Sequence, residues 1–517
     1  MSEAIVSEIW GELKRFVNTV DRAEAAETVV QILMDNDSDV EDIRDAFKGD
    51  SDIKRALTSY LDNDKDYEED EEDEYEEEED EDENLGKLMS DKFFPIKTDT
   101  ACQLKWSWST LHLPQGQTAS CHRTGWGNIN RENFDQFHNT DKKLQERQDM
   151  LAGRWPEHSC HYCRKIEQAG GFSDRKLMLL IPNQYPEELD VDPTAVNVDP
   201  TVLEVFINSI CNMSCLYCIP GLSSKINQEN IKFGKFSKGG VVLEAELNQN
   251  PLLIDKFWGW MKRKSTGLKR FNILGGEPFY QTEFYQLLDY FENTEHPDLE
   301  LGITTNLGIS TSKLEAICKR FRKLLIDKKL KRIDLTCSID CWGPEQEFVR
   351  YGLDLDVWEK NFEYLLSQKW ITLNINQTIS ILTIKTMPEL LVKLQAWRKT
   401  RPVGHFFSVV TPQPSYLVPA VLGADVFKSD FDKIISCMPD TTDQHKIAKQ
   451  YMQGIIKEIE QSSVDVAEIA KLQIFLDEKD RRRGTDWKAM FPWLAEICDQ
   501  HLKNNSDGLS RENTHVV

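Results

Sequence analysis

The sequence lacks several features that would point to common classes of protein. It has no run of eighteen apolar residues, so we expect no membrane-spanning helix. It has no contiguous basic stretch, which argues against nucleic-acid binding by charge. We recognise no secretory signal peptide, and a chain of 517 residues with twelve cysteines does not read as a small disulfide framework. We therefore expect a cytoplasmic protein that engages neither a membrane nor nucleic acid.

The negative charge of the chain is concentrated in one segment. The formal net charge is −25, and residues 64–83 contribute −16 of it through seventeen acidic residues and one lysine. Such a run repels itself and stays disordered. We interpret residues 62–90 as an acidic disordered linker, and a surface that engages a basic partner is the alternative.

The length leaves room for about three domains. Residues 1–61 carry apolar side chains at helical spacing and predict a small helical bundle that either stabilises the protein or recruits a partner. Residues 421–503 predict a C-terminal helical region, and the polar residues 504–517 predict a disordered tail.

Three cysteines stand within eight residues near the middle of the chain. Cys211, Cys215 and Cys218 form the pattern Cys-x-x-x-Cys-x-x-Cys, which chance rarely produces in a chain with twelve cysteines. Three thiolates this close can converge on one inorganic centre, and a [4Fe–4S] cluster usually takes four cysteines. Three cysteines would leave one iron open to a substrate or cofactor. Zinc with a histidine ligand is less consistent with the pattern, because no histidine lies within twenty residues of the loop.

A second motif follows an apolar segment that reads as a buried strand. Gly275-Gly276-Glu277-Pro278 comes directly after residues 270–274, and glycines there let a ligand approach the backbone. Together with the cysteine motif, it resembles the radical S-adenosylmethionine (SAM) superfamily over roughly residues 200–410. Members of that superfamily carry the three cysteines after the first strand and a Gly-Gly-Glu-Pro-like motif after the second.

The resemblance implies a particular chemistry. SAM chelates the open iron through its amino and carboxylate groups, and the reduced cluster cleaves it to methionine and a 5′-deoxyadenosyl radical. The cofactor carries the bond cleavage and the protein orients it. The implied cofactors are a [4Fe–4S] cluster and SAM, with a flavodoxin or ferredoxin as electron donor.

The resemblance also implies roles for individual residues. The cluster ligands, which serve catalysis, are Cys211, Cys215 and Cys218. The residues expected to bind SAM are Tyr217 beside the adenine, Gly275, Gly276 and Glu277 near the amino group, Thr305, Asn306, Ser338 and Asp340 near the ribose hydroxyls, and Arg350 near the carboxylate.

Alternating patterns predict the fold of the region. Strand-like segments lie at residues 203–207, 271–274, 299–304, 333–338, 373–379 and 405–410. Helix-like segments between them lie at residues 254–264, 283–291, 313–325, 358–366 and 388–398. The expected fold class is α/β: a partial (β/α)6 radical SAM barrel over residues 196–420, with the N-terminal helical bundle and a small cysteine-rich auxiliary domain. Ligand-binding residues then gather at the carboxyl ends of the strands.

A second set of cysteines precedes this core. Cys102, Cys121, Cys160 and Cys163 are four potential metal ligands, and residues 108–116 read as a short hairpin between them. Residues 91–195 resemble the twitch or SPASM auxiliary domains of radical SAM enzymes that modify peptides and proteins. In those enzymes the domain usually follows the barrel and carries more cysteines. We therefore expect a single auxiliary [4Fe–4S] cluster with four protein ligands, and structural zinc is the alternative.

The resemblance leads to a functional hypothesis. We expect a radical SAM enzyme that modifies a peptide or protein substrate. Radical modification of a small molecule or nucleoside is one alternative, and a non-catalytic iron–sulfur binding or sensor protein is another, since a fold alone does not determine function.

Overall fold

The structure is a computed structural model, and it describes residues 6–7, 10–11, 14, 22–34, 40–48, 50–63, 98–121, 123–168, 173, 175–176, 195–246, 253–410 and 414–501. The chain divides into two compact units, Met1–Asn84 and Leu85–Val517. Residues 64–90 of the expected linker and the expected tail at 504–517 lie outside the described residues.

The first unit contains three described helices: α1 (Arg22–Met34), α2 (Val40–Ala46) and α3 (Ser51–Asn63). Their apolar side chains, among them Val30, Ile43 and Leu57, form one buried cluster. Asp50 begins α3 by accepting hydrogen bonds from the backbone amides of residues 52 and 53. The helical character expected for residues 22–63 is therefore present, whereas most of residues 1–21 lie outside the described part.

The second unit is built on one large sheet. Its described strands are β1 (Trp108–His112), β2 (Gln117–Ala119), β3 (Gly127–Asn128), β4 (Val202–Phe206), β7 (Arg270–Leu274), β8 (His296–Thr305), β9 (Leu330–Ser338), β10 (Thr372–Ile379) and β11 (Gly404–Val409), and β5 (Phe236–Lys238) pairs with β6 (Val241–Leu243) in a separate hairpin. The order across the large sheet is β11-β10-β9-β8-β7-β4-β1-β2-β3. All neighbours from β1 through β4 to β11 are parallel, and β2 and β3 are antiparallel additions.

Helices connect these strands. They are α4 (Leu104–Ser107), α5 (Asp141–Leu151), α6 (His161–Gln168), α7 (Ser224–Phe233), α8 (Leu253–Lys264), α9 (Thr282–Asn293), α10 (Thr311–Ile326), α11 (Pro344–Val349), α12 (Leu355–Ser367), α13 (Met387–Arg398), α14 (Lys428–Cys437), α15 (Asp443–Glu460), α16 (Val466–Arg483), α17 (Trp487–Met490) and α18 (492–501). None of the helices in the described part is both long and apolar enough to cross a bilayer.

The six strands predicted for the core are all present, each starting and ending within three residues of the expected bounds. They run in chain order, as a sequence of strand–helix units requires. The apolar core follows from the same pattern, since side chains such as Leu203, Phe271 and Ile303 are fully buried. The structure is thus a mixed α/β fold with a large parallel sheet.

The cysteine-rich segment is continuous with that sheet. A hairpin is present as β1 and β2, although its second strand lies beyond the expected bounds of 108–116. Strand β1 also pairs in parallel with β4, with Trp108 opposite Val202 and His112 opposite Phe206. The segment therefore adds three strands to one edge of the core sheet.

Candidate functional site

The residues singled out in the core meet at one edge of the sheet. The three-cysteine loop (residues 211–218) follows β4, the glycine motif follows β7, Asn306 follows β8, and Asp340 follows β9. These are the carboxyl ends of parallel strands, where α/β proteins bind their ligands. Ser338 is the last residue of β9 and lies opposite Asn376 of β10.

Backbone hydrogen bonds hold the three-cysteine loop on both sides of Cys215. The amide of Ser214 donates to the carbonyl of Tyr351 at 2.8 Å, and the amide of Leu216 donates to the carbonyl of Val349 at 2.8 Å. The segment after α11 thus acts as a short template for the loop. These contacts place the middle cysteine independently of its side chain.

The glycine motif packs directly against the same loop. The amide of Gly276 donates to the carbonyl of Leu222 at 3.1 Å, and the amide of Glu277 donates to the carbonyl of Ile210 at 2.7 Å. Gly276 has φ +57°, and a Cβ there would collide with the carbonyl oxygen of Ile210. Glycine is therefore required by both the backbone conformation and the close approach.

The side chain of Glu277 faces inward and joins two strand ends. Its Oε1 accepts from the hydroxyl of Thr305 at 2.7 Å and from the amide of Phe279 at 3.2 Å, and its Oε2 accepts from the amide of Asn306 at 2.6 Å. Burial raises the pKa of this carboxyl to about 7, although the three hydrogen bonds oppose the shift. The carboxyl is fully buried, so it positions the end of β8, and the motif presents its backbone at the edge.

Asn306 connects β8 to the three-cysteine loop. Its Nδ2 donates to Asn212 Oδ1 at 2.8 Å and lies 3.8 Å from Cys211 Sγ. Asn212 in turn donates to the carbonyl of Gly308 at 2.9 Å. The first cysteine is therefore held from the neighbouring strand.

Tyr217, Asp340 and Arg350 form a single buried group. The carboxylate of Asp340 accepts two hydrogen bonds from Arg350, both at 2.8 Å, and one from the hydroxyl of Tyr217 at 2.7 Å. The amide of Thr378 also donates to Asp340 at 2.9 Å. Arg350 was expected to bind a ligand carboxylate, but its bidentate partner in the structure is Asp340. Through Tyr217 and Thr378, the same carboxylate connects the three-cysteine loop to β9 and β10.

The three thiols of the loop share an apolar environment. Burial raises the pKa of Cys211 to about 12, and it also raises the pKa of Cys215 and of Cys218. The three are close enough that Cys215 and Cys211 contribute to the shift at Cys218. These thiols are protonated at neutral pH, and metal binding would have to displace their protons.

The four cysteines of the second set come together although they are far apart in sequence. Cys102, Cys121, Cys160 and Cys163 line one cavity, hereafter the four-cysteine cavity. Cys102 immediately precedes the turn into α4, and Cys121 follows β2. Cys160 heads α6 with φ +67°, and its carbonyl accepts the amide of Arg164 at 3.0 Å, which leaves Cys163 in the first turn.

An arginine closes one side of the four-cysteine cavity. Arg175 lines it, and its guanidinium lies 4.9 Å from the centre of the Trp155 ring. Its Nη2 donates to the carbonyl of Asp99 at 2.8 Å, its Nη1 donates to the carbonyl of Ala101, and its Nε donates to Glu167 at 2.6 Å. Arg175 belongs to a segment noted only for its general resemblance to twitch domains, and no short-range pattern marks it as part of the site.

A lysine lines another side. Lys105 is buried and forms an ion pair with Glu146 of α5. Burial opposes its charge, but Cys160 and Glu146 leave the pKa of Lys105 above its usual value. In the same way, Glu167 together with Cys102 and Cys163 raises the pKa of Arg175 against the effect of burial. Both cations are thus placed to favour negative charge on the cysteines.

Further basic side chains lie behind the cavity. The ammonium of Lys143 is buried and donates to the hydroxyls of Ser109 and Thr118 and to the carbonyls of Ala119 and Phe137, at 2.8–3.1 Å. Burial lowers the pKa of Lys143 far below its usual value. Arg147 is also buried and donates to the carbonyls of Lys105, His138 and Val196 and to Asn139. The periodicity of the sequence does not distinguish these residues from ordinary surface lysine and arginine.

In the part of the chain that is described, no three His, Cys, Asp or Glu side chains are arranged to hold a single metal ion. A four-iron cluster binds each thiolate at a different iron, so its ligands stand farther apart than those of one zinc ion. Both cysteine sets offer thiol donors, which are the ligands that iron–sulfur clusters take.

Comparison with known proteins supports the class expected from the motifs. No protein-family model matches the chain. The chain is 29% identical over 147 residues to a curated GTP 3′,8-cyclase of Nautilia profundicola. The matched segment covers 28% of this chain and 36% of the cyclase. The chain thus spans about a third of the length of that relative. The similarity supports the radical SAM superfamily and an enzyme of that kind.

Solved structures with partial likeness were also found. One is anSMEcpe with bound AdoMet and the Cp18Cys peptide, at 15% identity and TM-score 0.27 over 45% of this chain and 57% of that chain. Another is Streptococcus suis SuiB bound to S-adenosylmethionine, at 17% identity and TM-score 0.27 over 41% of this chain and 50% of that chain. TM-scores this low do not establish a shared overall fold.

Proposed function

We propose that the protein is a radical SAM enzyme that modifies a peptide or protein side chain. The observation that carries the proposal is the hydrogen-bonded contact between the three-cysteine loop and the ends of β7, β8 and β9. Gly276 and Glu277 bind the backbone of the loop, Asn306 reaches Cys211, and Asp340 holds Tyr217. One edge of one sheet thus joins every element that the radical SAM motif requires.

The residues of the loop fit a [4Fe–4S] cluster that leaves one iron for SAM. Cys211, Cys215 and Cys218 supply three half-buried thiol ligands. A bound cluster would supply the electron that cleaves SAM to methionine and a 5′-deoxyadenosyl radical. The protein's part is to hold the three-cysteine loop through Val349 and Tyr351, and to offer the backbone of the glycine motif to the cofactor.

We assign a second [4Fe–4S] cluster to the four-cysteine cavity. Four thiolates around a cluster carry a net negative charge, and Lys105 and Arg175 provide buried positive charge at the cavity wall. Structural zinc in the same cavity is the alternative, because four cysteines also satisfy a tetrahedral ion.

The surroundings of the edge favour a polypeptide substrate. Ile210 and Ile219 flank the cysteines and Tyr280 follows the glycine motif, and each exposes more than two fifths of its surface. Exposed apolar side chains beside a candidate site are typical of surfaces that bind other proteins. The similarity to a GTP cyclase favours the alternative, a nucleotide or other small molecule. A flavodoxin or ferredoxin is the proposed electron donor.

The proposal is tested by anaerobic reconstitution with iron, sulfide and zinc counted per chain, followed by a SAM cleavage assay. We expect about eight irons, from two four-iron clusters, and release of 5′-deoxyadenosine under reducing conditions. About four irons with one zinc would keep the SAM chemistry and make the four-cysteine cavity structural. Full reconstitution without SAM cleavage would favour a non-catalytic sensor, and failure to bind iron would refute the proposal.

The substrate class is tested with the same reconstituted protein. Peptides and proteins that bind to it are compared with GTP and with nucleosides, each prepared with deuterium at its C–H positions, for transfer of deuterium to 5′-deoxyadenosine. Exchange with a peptide supports the proposal, and exchange with a nucleotide alone would replace it with the alternative.

A further inference from the structure

The C-terminal end of α16 packs on the helix that follows the three-cysteine loop. Lys479 Nζ donates to Glu229 Oε1 at 2.6 Å, and Arg483 Nε donates to Glu229 Oε2 at 2.8 Å. Arg482 Nη1 donates to Asn230 Oδ1 at 2.8 Å. Helix α7 is therefore tied to α16 by three buried basic side chains, about 250 residues farther along the chain.

Arg483 differs from Lys479 and Arg482 because one nitrogen of its guanidinium has no hydrogen-bond partner among the described residues. Its side chain is 3% exposed, and it lies 4.8 Å from the centre of the Tyr351 ring. Its carbonyl accepts the hydroxyl of Tyr351 at 3.4 Å. Within the described residues, however, Nη2 is buried and has no hydrogen-bond partner. An unsatisfied buried donor is unfavourable, and more so when it is charged, so such a group signals a missing acceptor.

The position of Arg483 indicates where that acceptor belongs. Tyr351, on which the guanidinium stacks, accepts the amide of Ser214 immediately before Cys215. Glu229, to which it is paired, lies on the helix that begins after the loop. The guanidinium is thus held against the residue that fixes the backbone before Cys215 and against the helix that follows the loop.

We propose that Arg483 is a positioning residue for the centre bound at the three-cysteine loop, to which its Nη2–H group donates a hydrogen bond near Cys215. The acceptor is an anionic, thiolate-ligated inorganic centre, and the inference rests on the cluster proposed above. A donor and a positive charge beside such a centre stabilise its reduced, more negative form. Arg483 therefore raises the reduction potential of this centre.

The test uses three variants of the full-length, reconstituted protein. R483Q removes the charge and the guanidinium. R483K keeps a cation that can pair with Glu229 but lacks the Nη2 donor. The matched control is R481Q, because Arg481 lies on the same helix end, is 57% exposed and pairs with Glu478.

The measurement is a redox titration followed by electron paramagnetic resonance, reading only the signal whose shape changes when SAM is added. This signal reports the centre with the open iron and separates it from the second centre. We expect the midpoint potential to fall in R483Q, to fall by less in R483K and to stay unchanged in R481Q. A purely structural role would lower iron content or thermal stability and leave the potential unchanged.

The failures of the two proposals are distinguishable. If the wild-type protein binds iron but shows no SAM-sensitive signal, the function proposed above fails. If that signal is present and R483Q keeps the wild-type potential, the inference about Arg483 is overturned. Should R483Q not retain the centre, R483K decides: a wild-type potential in R483K overturns the hydrogen bond from Nη2.

Discussion

The two cysteine sites of this protein are built in opposite ways. The three-cysteine loop draws its thiols from eight consecutive residues. Its own amides donate to the carbonyls of Val349 and Tyr351, and the amides of Gly276 and Glu277 donate to the carbonyls of Leu222 and Ile210 on either side of it. The four-cysteine cavity gathers thiols spread over 62 residues, and buried ion pairs stand beside them. The first site is therefore determined by local spacing and main-chain geometry, and the second by tertiary packing and charge.

Their electrostatic settings differ as well. At the three-cysteine loop, the bidentate pair with Asp340 neutralises Arg350. At the four-cysteine cavity, Lys105 and Arg175 each have an acid partner, but Lys143 behind them donates only to hydroxyls and carbonyls. Buried charge is costly unless it is compensated. Burial raises the pKa of the Cys102 thiol although Lys105 and Arg175 act against the shift, so metal binding at the cavity has to displace its proton.

The largest expected effects come from removing the cysteines of one site at a time. A C211A/C215A/C218A variant should lose half of the bound iron and all SAM cleavage, because no ligands remain for the centre that binds SAM. A C121A/C163A variant should lose the other half of the metal and keep SAM cleavage. Metal analysis and 5′-deoxyadenosine release measure both.

The control for this pair is C437A, since Cys437 lies on α14 away from both sites. It should behave as wild type. SAM cleavage by the triple variant would contradict the assignment of the loop, and unchanged metal content in C121A/C163A would contradict the second site.

A smaller effect should appear where buried charge holds the cavity. R175A breaks the ion pair with Glu167, whose side chain is only 13% exposed, and leaves its carboxylate unpaired. Removing one partner of a buried pair costs about 3–5 kcal/mol. We expect the free energy of unfolding in denaturant to fall by that amount, together with loss of metal from the cavity.

Two further variants test whether the effect of R175A comes from loss of the buried ion pair. R154A removes a neighbouring arginine that is 63% exposed and pairs with Asp149 at the surface, and it should have no measurable effect. An R175A/E167Q double variant should recover part of the loss, because the unpaired charge is gone. If R154A and R175A behave alike, buried charge does not hold the cavity.

The smallest expected effect is a pH-dependent loss of stability when Glu277 is replaced. E277Q places an amide N–H opposite the amide of Asn306, which should destabilise the fold by about 1–3 kcal/mol. Burial raises the pKa of Glu277 to about 7 from an ordinary 4.5, so ionising it costs the folded state more than the unfolded state. Its contribution to stability is complete below pH 4.5 and declines as pH rises to about 7.

The free energy of unfolding of E277Q should therefore fall furthest below that of wild type at pH 5, and the difference should shrink towards pH 7 and above. Unfolding midpoints in denaturant at pH 5, 6, 7 and 8 measure this difference, in which all other titrating groups cancel. A deficit that grows with pH would show that Glu277 is stabilised as a carboxylate instead.

Much of the fold followed from local pattern. The six core strands and their helices were predicted because apolar residues repeat at strand or helix spacing, and that signal needs no knowledge of distant contacts. The placement of β1 beside β4 was not predicted. Its pairing depends on residues about 90 positions apart, and nothing in the sequence between Trp108 and Val202 indicates which sheet edge β1 joins.

The candidate site divides in the same way. Spacing alone identified Cys211, Cys215, Cys218 and the glycine motif. The role of Glu277 as an inward-facing link between strand ends was not visible in the sequence, since a motif does not reveal which way its carboxyl points. Arg175, Lys105 and Arg483 were missed because single basic residues are common on protein surfaces.

The sequence by itself determined the positions of the core strands and singled out the three-cysteine and Gly-Gly-Glu-Pro motifs, because both depend on residues that are neighbours along the chain. Only the tertiary structure decided that four distant cysteines share one cavity, that Asp340 rather than a ligand pairs with Arg350, and that α16 packs on α7 and Tyr351. These contacts arise between segments far apart in sequence. They are selected by the burial of apolar surface and by the need to pair every buried charge.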